Sequence, residues 1–206
     1  MEEKIVHETK IEGDFAFDGK VIFKNDIEIT GSLNVGEVKA DGSIYVHHEY
    51  IVARDDNVAN SQTVGWHQTV GGHQTVGRSQ KVGGYQTVVG PQTVGWYQTV
   101  GGSQTVGWSQ KVGGDITVAR SIVTGLSIKA RGTIKCGDGY GIFAGTAAHK
   151  NCPNNRIIKC AAIIGEVLCG KVEIIPEPEK VTVRVGDAEY SVSPKQAEEI
   201  NKILTG

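Results

Sequence analysis

"SQTVGWHQTVGGHQTVGRSQKVGG", residues Ser61 to Gly84, repeats a six-residue unit in which glutamine stands two places before valine. Nine such units fill Ser61 to Gly114 without insertion. Valine holds the fourth place of each, as Val64, Val70, Val76, Val82, Val88, Val94, Val100, Val106 and Val112. Glutamine holds the second, as Gln62, Gln68, Gln74, Gln80, Gln86, Gln92, Gln98, Gln104 and Gln110. Residues i and i+2 of a strand share a face. Each unit therefore offers a short strand with two inward side chains, one outward residue between them, and a glycine-bearing corner. Three units close a triangular coil of about 18 residues, and stacked coils pair their strands in parallel about 4.8 Å apart. A fixed period of this kind marks a solenoid.

The frame runs past the glutamine block. Downstream, DITVAR, SIVTGL, SIKARG and TIKCGD place Ile116, Ile122, Ile128 and Ile134 where glutamine stood. Upstream, apolar pairs two residues apart recur as Phe15/Phe17, Val21/Phe23, Ile27/Ile29 and Leu33/Val35, then as Val38/Ala40, Ile44/Val46 and Tyr50/Val52 after a slip near Gly36. Regularity fails again at 139–156, "GYGIFAGTAAHKNCPNNR", whose turn chemistry predicts a loop leaving the solenoid. Pairs resume at Ile158/Cys160, Val167/Cys169 and Val172/Ile174.

The reading is an all-β chain: a three-sided parallel β-helix over residues 1–174, with paired strands from about Phe15 and the glutamine coils at 61–114. Residues 175–206 follow as a linker, "IPEPE", then a β-hairpin around Gly186 and Asp187, then a short helix. Ser193 is its N-cap, Pro194 its first residue, and Ala197, Ile200, Ile203 and Leu204 its apolar face. Hairpin and helix are expected to cap the open C-terminal end of the β-helix.

Glutamine facing a dry core needs an explanation, because a buried unpaired amide costs about 1–3 kcal/mol. In a parallel stack each glutamine lies above another 18 residues along, and identical amides in register hydrogen-bond up the column as they do in amyloid ladders. The expected columns are Gln62/Gln80/Gln98, Gln68/Gln86/Gln104 and Gln74/Gln92/Gln110. Changing all three members of Gln68/Gln86/Gln104 to leucine then orphans no amide and gains apolar area, so it is expected to cost far less than three single changes, or even to stabilise. An unordered low-complexity expansion would share the composition, but it would not keep valine in phase with the flanks.

Composition bounds the rest. A chain of 206 residues buries a core without disulfides, and its 21 basic against 23 acidic residues give no surplus for nucleic acid. No window approaches the ~18 apolar residues of a membrane span, and "MEEKIVHETK" is no secretory leader, so a cytoplasmic chain is expected. Cys136, Cys160 and Cys169 fall at inward positions and read as small core residues, while Cys152 falls in the loop. No metal constellation or cofactor motif is found, and none is expected.

The outward place is threonine in seven hexads and lysine, Lys81 and Lys111, in two. Threonine needs no purpose beyond strand propensity, although rows such as Thr69/Thr87/Thr105 also suit a polysaccharide or ice surface. Trp66, Trp96 and Trp108 stand at corners, where stacking between coils is expected, for example Trp66 with Tyr85.

The stretch "IEGDFAFDGKVIFKNDIEITGSLNVGEVKADGSIYV", Ile11 to Val46, resembles the bactofilins, polymer-forming bacterial proteins. The resemblance implies a right-handed triangular β-helix that associates end to end, with itself as partner and with neither cofactor nor catalytic residues. A competing enzyme reading lays V-G-W-H-Q-T on the repeat of hexapeptide acyltransferases. It fails where glutamine replaces a small residue, and His149, with His47 and His48 behind it, is a poor candidate base. The chain is therefore read as a non-catalytic structural solenoid.

Overall fold

The computed structural model describes residues 2–146 and 156–175, together with the backbone of two further strands, Val181–Val185 and Ala188–Val192. Residues Met1–Ile175 form one compact unit and Pro176–Gly206 a second.

The first unit is the expected all-β parallel solenoid. Each hexad makes one three-residue strand that begins at glutamine and ends at valine, such as Gln62–Val64, Gln68–Val70 and Gln74–Val76. Successive strands fall on successive faces, and each pairs in parallel with the strand one coil along: Gln68↔Gln86, Thr69↔Thr87, Val70↔Val88. One face is a nine-stranded sheet running from Lys10–Ile11 through Gln62–Val64, Gln80–Val82 and Gln98–Val100 to Ala162–Ile164, which sets about nine coils. The other two faces share a 17-stranded sheet, because Phe15–Phe23 and Leu33–Ala40 cross from one face to the next without breaking.

Those two long strands account for the slip. Gly36 and Glu37 alone separate Val35 from Val38, whereas Asp18, Gly19 and Lys20 separate Phe17 from Val21, so the register shifts between Phe17 and Lys20. The shortened corner brings backbones together, and a Cβ on Gly36 would lie 2.6 Å from the Gly19 carbonyl oxygen.

Two boundaries differ from the sequence reading. Strand pairing starts before Phe15, since Glu3–Val6 pairs with Lys20–Phe23; its side chains other than Val6 are exposed, so it carries no apolar pair. The irregular stretch is narrower than 139–156, because Gly141–Ala144 stays in the ladder between Ile122–Thr124 and Glu166–Cys169. The last coil, Ala162 to Ile174, turns on single residues, Gly165 and Gly170, both at φ 122°, a conformation that favours glycine.

The inward valines of the nine hexads are at most 2% exposed and form one cluster with the flanking Ile, Leu and Val side chains. In the second unit, Val181–Val185 and Ala188–Val192 pair antiparallel as the expected hairpin. The predicted helix after Ser193, and with it the expected cap, the linker beyond Ile175 and Cys152 lie outside the described residues.

Candidate functional site

Every glutamine of the block points inward and is at most 2% exposed. Strand register sets them in the three expected columns, Gln62↔Gln80↔Gln98, Gln68↔Gln86↔Gln104 and Gln74↔Gln92↔Gln110. The hydrogen bonds, however, do not stay within columns. Each of Gln80, Gln86, Gln92, Gln98 and Gln104 donates one N–H to the amide oxygen 18 residues back, always at 2.8 Å. Each donates the other N–H across the axis to the oxygen 12 residues back, at 2.9–3.2 Å. Both protons of the primary amide are thereby used.

The three columns fuse into a single braid, and this changes the energetics expected from independent ladders. Replacing Gln68, Gln86 and Gln104 together would strip the cross-axis acceptors of Gln80, Gln98 and Gln110. A glutamine side chain is long enough to reach both its own column and a neighbouring one near the axis of so narrow a triangle. The hexad spacing alone carries no sign of that.

The braid has a direction, and every hydrogen bond in it runs from a later residue to an earlier one. At its N-terminal end Gln62 and Gln74 donate to Asp56 Oδ2 at 2.9 and 3.0 Å, and the Tyr50 hydroxyl donates to Oδ1 at 2.6 Å. Asp56 is 1% exposed and Tyr50 fully buried. An ionised carboxylate only accepts, so donors must face it; once Gln62 and Gln74 are oriented, every later amide must follow. The aligned amides bring their positive ends to Asp56, the same logic that favours an anion at a helix N-terminus.

Burial raises the Asp56 pKa above its ordinary 3.8, opposed by the bonds from Tyr50, Gln74 and Gln62. Burial, followed by the nearby Asp56 charge, raises the Tyr50 hydroxyl well above 10.0. Because Oδ1 faces Tyr50 while Oδ2 takes the amides, protonation at Oδ1 reverses one bond and leaves the braid's direction intact.

Sequence reasoning missed both residues as members of the site, although the signal was present. Tyr50, Asp56 and Gln62 are successive second-place residues six apart, and Asp56-x-Val58 is a strand in frame.

At the other end the braid runs out. Gln110 donates to Gln98 at 2.5 Å and to Gln104 at 3.0 Å, not to Gln92 below it, and its own Oε1 has no partner. The next rungs are Ile122 and Ile128, and the nearby Thr124 hydroxyl is already engaged with the Leu126 carbonyl at 3.0 Å. Unused acceptor capacity thus collects where the isoleucine coils begin.

Outside the core, the corner aromatics stack with different partners from those expected. Trp66 lies against His48 and Tyr85 against His67, each pair with centroids 5.2 Å apart. Trp66 is second and Tyr85 third in its corner, so the two do not share a stacking row. Arg78 covers Trp96 at 5.8 Å, and Arg120 covers Tyr85 at 5.4 Å. His47 pairs with Glu28 at 2.8 Å, and His149 lies outside the described residues. Cys136 and Cys160 are buried as expected and Cys169 half-buried, and burial raises the Cys160 thiol pKa.

Among the described residues no group of three or more His, Cys, Asp or Glu side chains converges as a metal site, and no helix is long and apolar enough to cross a membrane. The chain matches no protein-family model, no curated protein and no solved structure.

Proposed function

We propose that this chain is a non-catalytic structural module, a stiff β-solenoid that extends by end-to-end association with copies of itself and takes no cofactor. The observation that carries the reading is the state of the terminal coils. Ala162–Ile164, Glu166–Cys169 and Lys171–Ile174 each pair with only one described strand, as do Glu3–Val6 and Lys10–Ile11 at the opposite end. The last coil also exposes Ile164, Leu168, Val172 and Ile174, between 39% and 55% each.

Unpaired strand edges are templates for strand addition, and apolar side chains beside them add area to bury. Joining unlike ends is a heterologous contact, which generates a filament when it does not close into a ring. The glutamine braid supports a structural role, because its bonds along and across the columns tie successive coils to one another. The bactofilin resemblance of Ile11 to Val46 agrees with this reading. Electron microscopy of the purified chain, beside its mass in solution, tests it. Filaments or a concentration-dependent mass are expected; a discrete monomer at all concentrations would overturn it.

A further inference from the structure

One outward column differs in kind from the rest. On the face that carries Gln74 and Gln92, the residues between the inward pair read, coil by coil, Asn57, Thr75, Thr93, Lys111, Lys129 and Lys159. Three exposed lysines therefore stand in register on adjacent strands, about 4.8 Å apart along the stack. Exposed Arg131 adds a fourth cation at the adjoining corner. Among the described residues none of the four forms an ion pair. The carboxylate on the rung beyond Lys159, Glu173, pairs with Lys171 at 3.9 Å.

The fold gains nothing from this arrangement. Like charges directly opposite on neighbouring strands repel, and threonine serves the same column one and two coils before Lys111. The chain as a whole is slightly acidic, with net charge -2, so this run of like charge is not a consequence of overall basicity.

The column also borders a groove of about 490 Å³ lined by Thr93, Gly95, Lys111, Gly113, Lys129 and Lys159 among others. Gly95 and Gly113 are held to glycine by the stack, since a Cβ on either would drive into the carbonyl one coil below, and the groove floor is correspondingly bare. Trp96 and Tyr97 follow Gly95 on the same corner, 57% and 54% exposed.

We infer that this groove binds a linear acidic polysaccharide laid along the solenoid axis, with carboxylates on the lysine column and a sugar face against the Trp96–Tyr97 corner. A polymer with one carboxylate per extended sugar repeats its charge on a scale close to the rung spacing. Duplex nucleic acid, with a charge every ~1.7 Å of axis, calls for a broader cationic surface than one column, and single strands call for aromatic platforms along the whole path. No aromatic side chain lines the groove itself; Trp96 and Tyr97 stand on the adjoining corner.

The test is titration of the full chain with a polyuronate oligomer, a neutral oligosaccharide of matched length, inorganic polyphosphate and a single-stranded homopolymer nucleic acid, at low and high ionic strength. The comparison variant is the triple Lys111→Thr/Lys129→Thr/Lys159→Thr, which uses the residue the column already carries. Its fold is checked by circular dichroism, and Lys81→Thr on another face is the control. The expected result is polyuronate binding that weakens on the order of tenfold or more in the triple variant and with added salt, is unchanged in Lys81→Thr, and exceeds binding of the other three probes. Failure of the wild-type chain to bind polyuronate, equal binding by the triple variant, or tighter binding of polyphosphate or nucleic acid would each overturn the assignment. If the triple variant does not fold, single Lys129→Thr carries the same comparison, with a drop on the order of twofold to fivefold expected and no change contradicting it.

Discussion

The direction of the amide braid makes its two ends unequal, and replacing one glutamine at each end by isoleucine exposes the difference. Isoleucine fits sterically at both, because Ile44 pairs with Gln62 at one end and Ile128 with Gln110 at the other. Gln62 Oε1 accepts from Gln68 at 2.8 Å, Gln74 at 3.1 Å and Gln80 at 2.8 Å. Gln62→Ile therefore leaves three buried N–H groups short of an acceptor and removes one donor from Asp56. At about 1–3 kcal/mol per orphaned group the loss is roughly 3–9 kcal/mol, reduced by about 1–2 kcal/mol for the added apolar surface.

Gln110 accepts no hydrogen bond. Gln110→Ile removes that bare oxygen and leaves those of Gln98 and Gln104 without their donor. The net change is one further bare carbonyl, an acceptor that tolerates neglect better than an N–H, offset by apolar gain. The expected cost is within about 1 kcal/mol of zero. Urea unfolding followed by circular dichroism reads both variants, with the m-value checked for constancy. Against a whole-domain stability of about 5–15 kcal/mol, the contrast is large. Equal losses at the two ends, or a larger loss at Gln110, would refute the assigned direction.

Further outcomes are expected. Gln86→Ala strips one acceptor each from Gln98 and Gln104 and opens a cavity, so it should cost about 3–5 kcal/mol, while the outward Thr87→Ala stays within about 0.5 kcal/mol. Converting Gln68, Gln86 and Gln104 together to leucine should remain costly by about 3 kcal/mol or more, since three cross-axis donors are orphaned; near-neutrality would mean that the columns are independent after all. Asp56 has its folded pKa raised by burial, so its contribution to stability is fully present below 3.8 and is lost as pH rises through the folded value. Asp56→Asn should flatten that segment of the stability–pH curve, and an unchanged curve would show that Asp56 does not titrate as a buried acid. Leu168→Glu places a charge on the exposed terminal coil and should shift the mass in solution toward monomer without changing the circular dichroism spectrum.

The solenoid was legible because inward position, strand and corner recur every six residues, so a single phase fixes which side chains share a face. The columns followed from the same arithmetic. What the sequence withheld depends on distance across the axis and on side-chain reach: the bonds between columns, their common direction, and the orphaned Oε1 of Gln110. Asp56 was overlooked because a search for apolar pairs passes over a carboxylate, even one in perfect phase with Tyr50 and Gln62. Glu3–Val6 escaped for a similar reason, since a terminal coil exposes most of its side chains. The corner aromatics were placed correctly at corners but paired wrongly, because a one-residue offset within a three-residue corner decides which rings meet.

Exchange of the glutamine side-chain amides tests the buried braid most directly. With the side-chain nitrogens isotopically labelled, nuclear magnetic resonance follows loss of the Nε2 protons into deuterated water. The exposed amides of Asn34 and Asn57 serve as internal references. The braid requires the side-chain N–H groups of Gln80, Gln86, Gln92, Gln98 and Gln104 to exchange only as the solenoid opens, at rates close to those of the Val82, Val88 and Val100 backbone amides. Exchange of those five at the rate of Asn34 and Asn57 would contradict it, and the glutamines would then be neither dry nor mutually bonded.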